Sequence, residues 1–198
     1  MSKITLVNPN LITTPAIAPY ALDILWTILS KRHEVGILDL NKNSDNFLET
    51  IDDYFKKNKP DIIGVTIRNT WDLYFPSFLA LETQGSFLHS HKSIIDRIKR
   101  YIDPDKIILG GSGLSTMSVE VLKRLDLKYA IIGNGEILSS EIIKKLERGE
   151  PLSPMEFPGL VTKEGIPFTR NIQIGKDVGR IDRTNFVDNK FYYEKGGL

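Results

Sequence analysis

The stretch Lys106-Ile107-Ile108-Leu109-Gly110-Gly111-Ser112-Gly113 sets the pattern of the chain, because a short apolar run ends abruptly in glycines. Similar apolar runs occupy residues 4–7, 35–40, 61–67 and 129–132. Most of them are continuously apolar, which is typical of strands buried on both faces of a sheet. Between the runs lie amphipathic stretches that predict helices, at residues 20–31, 44–58, 92–101, 115–125 and 136–147. Strands that alternate with helices predict a parallel sheet covered by helices.

Right-handed crossovers between these elements predict a doubly wound, Rossmann-like α/β fold with five parallel strands, of the flavodoxin-like type. The pattern changes at Pro151, where prolines exclude a helix. Residues 159–162 and 166–170 flank the turn Lys163-Glu164-Gly165 and predict a β-hairpin. We therefore predict one domain over residues 1–150, followed by a hairpin and linker over residues 151–198.

The composition excludes several function classes. The 198 residues contain no cysteine, so thiolate catalysis, disulfides, a cysteine-ligated zinc and an iron–sulfur cluster carried by this chain are excluded. The 26 Lys and Arg nearly balance the 25 Asp and Glu, and nothing there indicates a nucleic-acid or membrane partner. No apolar run approaches the roughly 20 residues that span a bilayer, and no signal peptide precedes the first strand. These features predict a cytoplasmic protein.

Ligands of open α/β sheets bind outside the carboxyl ends of the strands. The loops that follow the first, third, fourth and fifth predicted strands therefore supply the candidate binding residues. They are Asn8; Arg68, Asn69, Thr70 and Trp71; Gly110, Gly111, Ser112, Gly113 and Ser115; and Gly133, Asn134, Gly135 and Glu136.

Glycine loops at the start of helices expose backbone amides that suit phosphate or carbonyl oxygens. The loop at residues 110–115 is neither a Walker loop nor a GxGxxG motif, and a plain strand-to-helix turn is the alternative. Two such loops on neighbouring strands favour a ligand. Arg68 needs an anionic partner or a cofactor, and a salt bridge to Asp61 or Asp72 is the competing interpretation. Trp71 can cover a planar ligand or simply pack in a lid.

Five segments in order resemble one known family. They are Ile62-Ile63-Gly64-Val65-Thr66-Ile67-Arg68-Asn69, Ile108-Leu109-Gly110-Gly111-Ser112-Gly113-Leu114-Ser115, Ile131-Ile132-Gly133-Asn134-Gly135-Glu136, Pro158-Gly159-Leu160-Val161 and Phe191-Tyr192-Tyr193-Glu194-Lys195-Gly196-Gly197. In order and spacing they cover nearly the whole chain. This set resembles the amino-terminal cobalamin-binding domain of cobalamin-dependent radical SAM proteins.

The resemblance implies a flavodoxin-like domain that binds cobalamin non-covalently at the carboxyl edge of its sheet. The nucleotide tail would lie beside the loops at residues 110–115 and 133–136. In the complete family a barrel domain follows, whose Cys-x-x-x-Cys-x-x-Cys motif binds a [4Fe–4S] cluster and S-adenosylmethionine. Those two cofactors are expected only in that absent domain of the same protein, beyond Gly196-Gly197. The family implies a methyltransferase that relays methyl from S-adenosylmethionine to a small molecule, with no catalysis by the isolated chain.

One departure from cobalamin domains in general concerns the metal. The Asp-x-His-x-x-Gly signature, whose histidine ligates cobalt in many such domains, is absent. The resemblance therefore implies base-off cobalamin without a histidine ligand, and no metal ligand from the protein. Arg68 is the candidate nearest the lower face of the corrin, where its guanidinium has no lone pair to donate. Its charge would favour an electron-rich cobalt.

Two rival functions remain open on the sequence alone. A nucleotide- or flavin-binding switch module would use the same edge but needs only a phosphate-sized nest. An interaction domain without a cofactor would use the glycine loops merely as turns.

Overall fold

The computed structural model describes residues 1–13, 15–68, 87–115, 117–165 and 188–196. Six strands lie in these ranges: β1 (Lys3–Asn8), β2 (Glu34–Asp39), β3 (Ile62–Thr66), β4 (Ile107–Gly110), β5 (Tyr129–Ile131) and β6 (Leu160–Thr162). The helices are α1 (Tyr20–Leu29), α2 (Phe47–Lys57), α3 (Phe87–Ile98), α4 (Ser118–Leu125), α5 (Gly135–Glu147) and α6 (Asn189–Glu194). None of the helices in the described ranges has the length and hydropathy of a membrane span.

The strands form one sheet in the order β2-β1-β3-β4-β5-β6, and β1 to β5 pair in parallel. This order confirms the predicted doubly wound, flavodoxin-like fold. The number of strands differs from the prediction, because β6 adds a sixth strand antiparallel to β5.

The sixth strand is the first arm of the predicted hairpin. Gly159 makes its pairing possible, since its φ is +98° and a Cβ there would lie 2.8 Å from the carbonyl oxygen of Ile132. The Ile132 amide donates to the Gly159 carbonyl at 2.8 Å, and Thr162 and Gly165 exchange backbone hydrogen bonds at 3.3 and 3.2 Å. The second arm, residues 166–170, lies outside the described residues. The division at residue 150 stays a prediction, although β6 belongs to the same sheet as β1 to β5.

The helix boundaries differ from the predicted ones where irregular turns intervene. Helix α2 begins at Phe47 because a 3₁₀ turn, Leu40–Asn46, takes up the start of the predicted range. Helix α4 likewise follows a 3₁₀ turn, Ser112–Leu114. Helix α3 begins five residues before the predicted position 92, and this added turn includes an exposed His89 and a buried His91.

Two apolar layers sandwich the sheet. Helices α2, α3 and α4 pack on one side, which we call the three-helix face, against strand residues that include Ile63, Val65 and Leu109. Helices α1 and α5 pack on the other side, the two-helix face, against strand residues that include Ile4 and Ile62. Alternate residues of each buried strand thus serve opposite layers.

Candidate functional site

A cavity of about 370 Å³ lies on the two-helix face, between the sheet, α1 and α5. It extends along β3 from Thr66 at the carboxyl end to Ile62 at the amino end, a depth of roughly 13 Å at the usual rise per residue. It therefore begins at the edge where the sequence predicts a ligand and continues beneath the helices.

The mouth of the cavity is formed by the two predicted glycine loops. Eight of the candidate residues line it, namely Gly110, Gly111, Ser112 and Ser115 at and after the end of β4, and Gly133, Asn134, Gly135 and Glu136 around the start of α5. The structure thus brings two loops together that are separated by about twenty residues of sequence. Their contact with a ligand stays a prediction.

The β4 loop holds its shape through the end of β3. Gly111 has a φ of +106°, and a Cβ there would lie 2.4 Å from the Ile67 carbonyl oxygen. The amide of Gly113 donates to that same oxygen at 2.9 Å, and the Ser112 hydroxyl donates to the Arg68 carbonyl at 2.6 Å. Gly113 is buried by this arrangement and lies outside the cavity lining. Its role is therefore to position the loop.

Both helical walls present residues spaced by four positions. Ala21, Leu25 and Leu29 of α1 line one wall. Gly135, Ser139 and Ile143 of α5 line the other. Because both helices begin at the carboxyl edge, each step of four carries the lining about 6 Å deeper. The mouth is consequently rich in glycine, and the deep end is apolar.

Ser139 is the polar exception along the α5 wall. Its hydroxyl oxygen is buried and has no hydrogen-bond partner in the part of the chain that the structure describes. A buried hydroxyl without a partner is unfavourable unless something satisfies it.

Arg68 follows the end of β3, at the carboxyl edge. Its Nη1 donates to the carbonyl of Ala18 at 3.2 Å. Loss of water around the guanidinium lowers the pKa of Arg68, and the nearby Tyr192 opposes that shift. Of the two predicted salt-bridge partners, Asp61 lies at the opposite end of β3 and accepts a hydrogen bond from the Lys3 amide at 2.7 Å. The other, Asp72, lies outside the described residues.

Asn8 belongs to a separate polar cluster at the ends of β1 and β2. Its side-chain amide donates to Asp39 at 2.8 Å and to the Tyr192 hydroxyl at 3.4 Å. The Tyr192 hydroxyl in turn donates to Asp39 at 2.7 Å. Burial, followed by the Asp39 carboxylate, raises the pKa of Tyr192 far above its ordinary value. Asn8 is 2% exposed and does not line the cavity, so its predicted contact with a cofactor gains no support from this arrangement.

Helix α6 brings Tyr192 into that cluster. Asp188 caps the helix by accepting from the Phe191 amide at 3.1 Å, and it also pairs with Lys42 at 3.0 Å. Tyr192 is fully buried against Ala16 and Ala18. The sequence suggested a linker here, and the structure shows a short helix docked on the loop after β1.

The remaining candidates Asn69, Thr70 and Trp71 lie outside the described residues. The sequence missed several residues that line the cavity. Gly64 carried a usable signal, because a glycine inside an apolar strand indicates a close approach to that strand. Ser139 carried none, since a serine on an amphipathic helix is ordinary.

None of the three histidines lines the cavity. His33 lies at the opposite edge, where its Nδ1 is 3.5 Å from the Glu147 carboxylate. The Ser2 hydroxyl donates to the same carboxylate at 2.5 Å and lowers the pKa of Glu147. Within the described ranges, no group of three His, Cys, Asp or Glu is arranged to hold a metal ion.

Comparisons with known proteins show what this chain is similar to. No family model matches the chain. A tryptophan 2-C-methyltransferase from Streptomyces laurentii is 36% identical over 163 residues, which are 82% of this chain and 26% of the relative. The radical S-adenosylmethionine methyltransferase TsrM from Kitasatospora setae, solved with cobalamin and a [4Fe–4S] cluster bound, superposes with a TM-score of 0.78 at 31% identity. This chain is homologous to one part of the cobalamin-dependent radical SAM methyltransferases.

That finding confirms the resemblance drawn from the five segments. The superposition on TsrM covers 99% of this chain and 38% of TsrM, so the chain spans well under half the length of these methyltransferases. The cobalamin-dependent radical enzyme OxsB with aqua-cobalamin bound has a TM-score of 0.57 at 20% identity. At that identity OxsB supports the shared fold alone.

Proposed function

We propose that this chain binds cobalamin non-covalently at the carboxyl edge of its sheet, as the corrinoid-holding part of a radical SAM methyltransferase. The observation that carries the proposal is the cavity on the two-helix face, which opens between the two glycine loops. The relatives support the choice of ligand, since TsrM was solved with cobalamin bound.

The residues of the cavity fit the nucleotide tail of a corrinoid. The volume of about 370 Å³ falls within the roughly 300–1,000 Å³ of small-molecule sites. A Cβ at Gly110 would meet nothing within 4 Å, so the mouth has room for a ligand group there. Helix α5 begins at the mouth without a side-chain N-cap hydrogen bond, and such a helix start suits the phosphate of the tail. The apolar interior suits an aromatic base.

The residues around the mouth are also consistent with a corrinoid whose cobalt has no histidine ligand. None of the histidines lines the cavity. Arg68 lies at this edge, held by the Ala18 carbonyl, and we propose it as the residue nearest the lower face of the corrin. A guanidinium offers five donors and no lone pair, so it contributes positive charge without ligating the metal. The proposal includes the base-off state, in which the tail occupies the cavity.

When bound, a corrinoid supplies a cobalt centre that can carry a methyl group. This chain's own residues bind the tail, orient the corrin through the two glycine loops and place a cation at its edge. We propose that a further domain of the same protein holds the [4Fe–4S] cluster and S-adenosylmethionine, and that the methyl group passes to a small-molecule substrate. On this proposal the chain described here positions the cofactor and performs no catalysis alone.

The test is retention of hydroxocobalamin by the purified chain. The protein is incubated with excess hydroxocobalamin, desalted, and its visible spectrum is recorded. We expect corrin absorbance to remain with the wild-type protein. In Gly110→Leu the added side chain fills the mouth, and we expect the affinity to fall by at least about a hundredfold, or ~2.7 kcal/mol.

The control is Lys123→Leu, which adds a leucine at an exposed position of α4, away from the cavity. It should retain as much corrinoid as the wild type, and circular dichroism should show both variants folded. Loss of all corrin absorbance from folded wild-type protein would overturn the proposal. Retention of flavin mononucleotide in its place would favour the nucleotide-binding alternative.

A further inference from the structure

We infer that Tyr192 is a positioning residue of the cofactor site, because it fixes the loop segment to which the guanidinium of Arg68 is hydrogen-bonded. The inference rests on the proposed cobalamin function, in which Arg68 lies nearest the lower face of the corrin. It adds a residue that does not line the cavity and that acts through another side chain.

The guanidinium of Arg68 needs an anchor to keep one position. The β4 loop holds the backbone of this residue, because the Ser112 hydroxyl donates to the Arg68 carbonyl at 2.6 Å. The Arg68 side chain is long and the residue is exposed, so it loses rotamer entropy when it takes a single position. The hydrogen bond from its Nη1 to the carbonyl oxygen of Ala18, at 3.2 Å, restricts it. The position of the positive charge therefore depends on where that carbonyl lies.

The carbonyl of Ala18 belongs to the loop between β1 and α1, outside any strand or helix. Ala16 and Ala18 are both buried and form an apolar cluster with the fully buried Tyr192. The end of α6 also contacts this segment through the backbone, since the Ala16 amide donates to the Lys195 carbonyl at 3.4 Å. Helix α6 thus holds residues 16–18 against the domain.

Tyr192 is itself fixed to the carboxyl end of the sheet. Its hydroxyl donates to Asp39 at 2.7 Å and accepts from the side-chain amide of Asn8 at 3.4 Å. Asn8 and Asp39 are paired residues of β1 and β2. The hydroxyl end of the tyrosine is therefore attached to two strand ends, while its ring packs on the loop that binds Arg68.

This link between Tyr192 and Arg68 acts through packing. Burial and Asp39 raise the pKa of Tyr192, and the charge of Arg68 opposes that rise. The phenol is therefore uncharged at neutral pH and adds no charge of its own to the site. It controls instead the distance between the guanidinium and a bound cobalt, on which their electrostatic interaction depends. A cation at short distance stabilises the more electron-rich state of the cobalt and so raises its reduction potential.

The experiment measures the reduction potential of protein-bound cobalamin, from the cobalt(II) to the cobalt(I) state, by spectroelectrochemical titration at saturating cobalamin. The variants are Tyr192→Leu, which removes ring and hydroxyl, Tyr192→Phe, which removes the hydroxyl alone, and Arg68→Ala. One control is Tyr193→Leu at the exposed neighbouring position. The other is Ile51→Val, which weakens packing in the three-helix layer. Circular dichroism checks that each variant is folded.

We expect Arg68→Ala to lower the potential, because the cation is lost. Tyr192→Leu should lower it by at least about half as much, and should cause no further shift in the Arg68→Ala background. Tyr192→Phe should fall between wild type and Tyr192→Leu, because its ring still packs on the loop. Tyr193→Leu and Ile51→Val should match the wild type.

A second measurement needs no cofactor. The amide of Tyr20 donates to the Ala18 carbonyl at 2.9 Å, so its hydrogen exchange reports on the same acceptor that Arg68 uses. In protein without corrinoid, Tyr192→Leu should speed this exchange by at least about tenfold, because the segment opens locally more often. Tyr193→Leu should leave the exchange rate unchanged.

The outcomes separate this inference from the function on which it rests. If Tyr192→Leu keeps the wild-type potential, or shifts it equally with and without Arg68, the inference is wrong while corrinoid binding stands. An unchanged exchange rate at Tyr20, or an equal shift of the potential in Ile51→Val, would overturn it in the same way. If wild-type protein binds no cobalamin, the proposed function fails and the inference fails with it.

Discussion

The two faces of the sheet are built from the same kinds of residue and yet differ in packing. On β3 the three-helix face receives Ile63 and Val65, whereas the two-helix face receives Ile62, Gly64 and Thr66. A glycine and a threonine therefore stand where the other face has large aliphatic side chains. The cavity lies over the glycine.

Strand β4 repeats this difference. Ile107 and Leu109 pack on the three-helix face, whereas Ile108 and Gly110 line the cavity on the other. Both strands thus lose side-chain volume on the same face near their carboxyl ends. The comparison teaches that a binding site in this fold arises where one layer is left incompletely filled, while the opposite layer, with its buried aliphatic side chains, stabilises the domain.

The prediction with the largest expected effect replaces one isoleucine on each face. Ile51 of α2 is fully buried in the three-helix layer, and Ile143 of α5 is 3% exposed beside the cavity. We expect Ile51→Ala to lower the free energy of unfolding by about 4 kcal/mol and Ile143→Ala by about 2 kcal/mol. We expect the second value to be smaller because Ile143 lines the cavity, which already leaves space beside its side chain. Urea unfolding measures both, and equal losses would mean that the two layers are packed alike.

A second test uses the ligand. Hydroxocobalamin at a hundred times its dissociation constant should raise the free energy of unfolding by about 2.7 kcal/mol. If the tail occupies the cavity, hydrogen exchange should slow most in α1 and α5, which form its walls. Helices α2, α3 and α4 serve as the internal control. Protection spread evenly over both faces would contradict this placement.

The smallest expected effect concerns the polar cluster beside the two layers. Tyr192→Phe removes the hydroxyl that Asp39 accepts from, and should cost about 1–2 kcal/mol of stability at neutral pH. The control is Tyr193→Phe, because Tyr193 is 73% exposed and its hydroxyl should contribute almost nothing. Thermal unfolding of the two variants checks the difference. Equal melting temperatures would mean that the Tyr192 hydroxyl contributes no more stability than the exposed Tyr193 hydroxyl.

The difference in stability between wild type and Tyr192→Phe should also depend on pH, in the direction that the raised pKa of Tyr192 determines. The pKa of Tyr192 is raised above its ordinary value of 10.0, so the native state holds this proton more tightly than the unfolded state. Its contribution is complete below about pH 10 and declines as the pH rises further. The advantage of wild type over Tyr192→Phe should therefore shrink between pH 10 and 11.

The parallel sheet was predictable because each buried strand is a local apolar run. What the sequence could not predict depends on distant partners. The pairing of β6 with β5 requires the positive φ of Gly159 and its approach to Ile132, neither of which leaves a periodic signal. The end of α2 could be predicted because Pro60 follows it, whereas its start could not, because a 3₁₀ turn replaces the first residues of the predicted range.

The candidate site likewise has one part that the local sequence predicts and another part that depends on distant residues. Glycine loops at the ends of strands indicate a mouth, because only their local conformation is needed. The depth of the cavity depends on which residues of α1, α5 and the strands face one another, so Gly64 and Ser139 emerged only from the structure. Asn8 is the opposite case. It lies at the carboxyl edge where a ligand is predicted, but its side chain is hydrogen-bonded to Asp39 and Tyr192.

The contact between Asn8 and Tyr192 joins positions 184 residues apart in the chain. During synthesis, the loop after β1 therefore emerges from the ribosome long before the helix that fixes it. Until residue 192 has been made, the carboxylate of Asp39 lacks the tyrosine hydroxyl and Ala18 lacks its aromatic neighbour. Contacts of such long sequence separation form late and slowly. The part of the site that holds Arg68 should accordingly be the last to mature, after the sheet and both helical layers have already assembled.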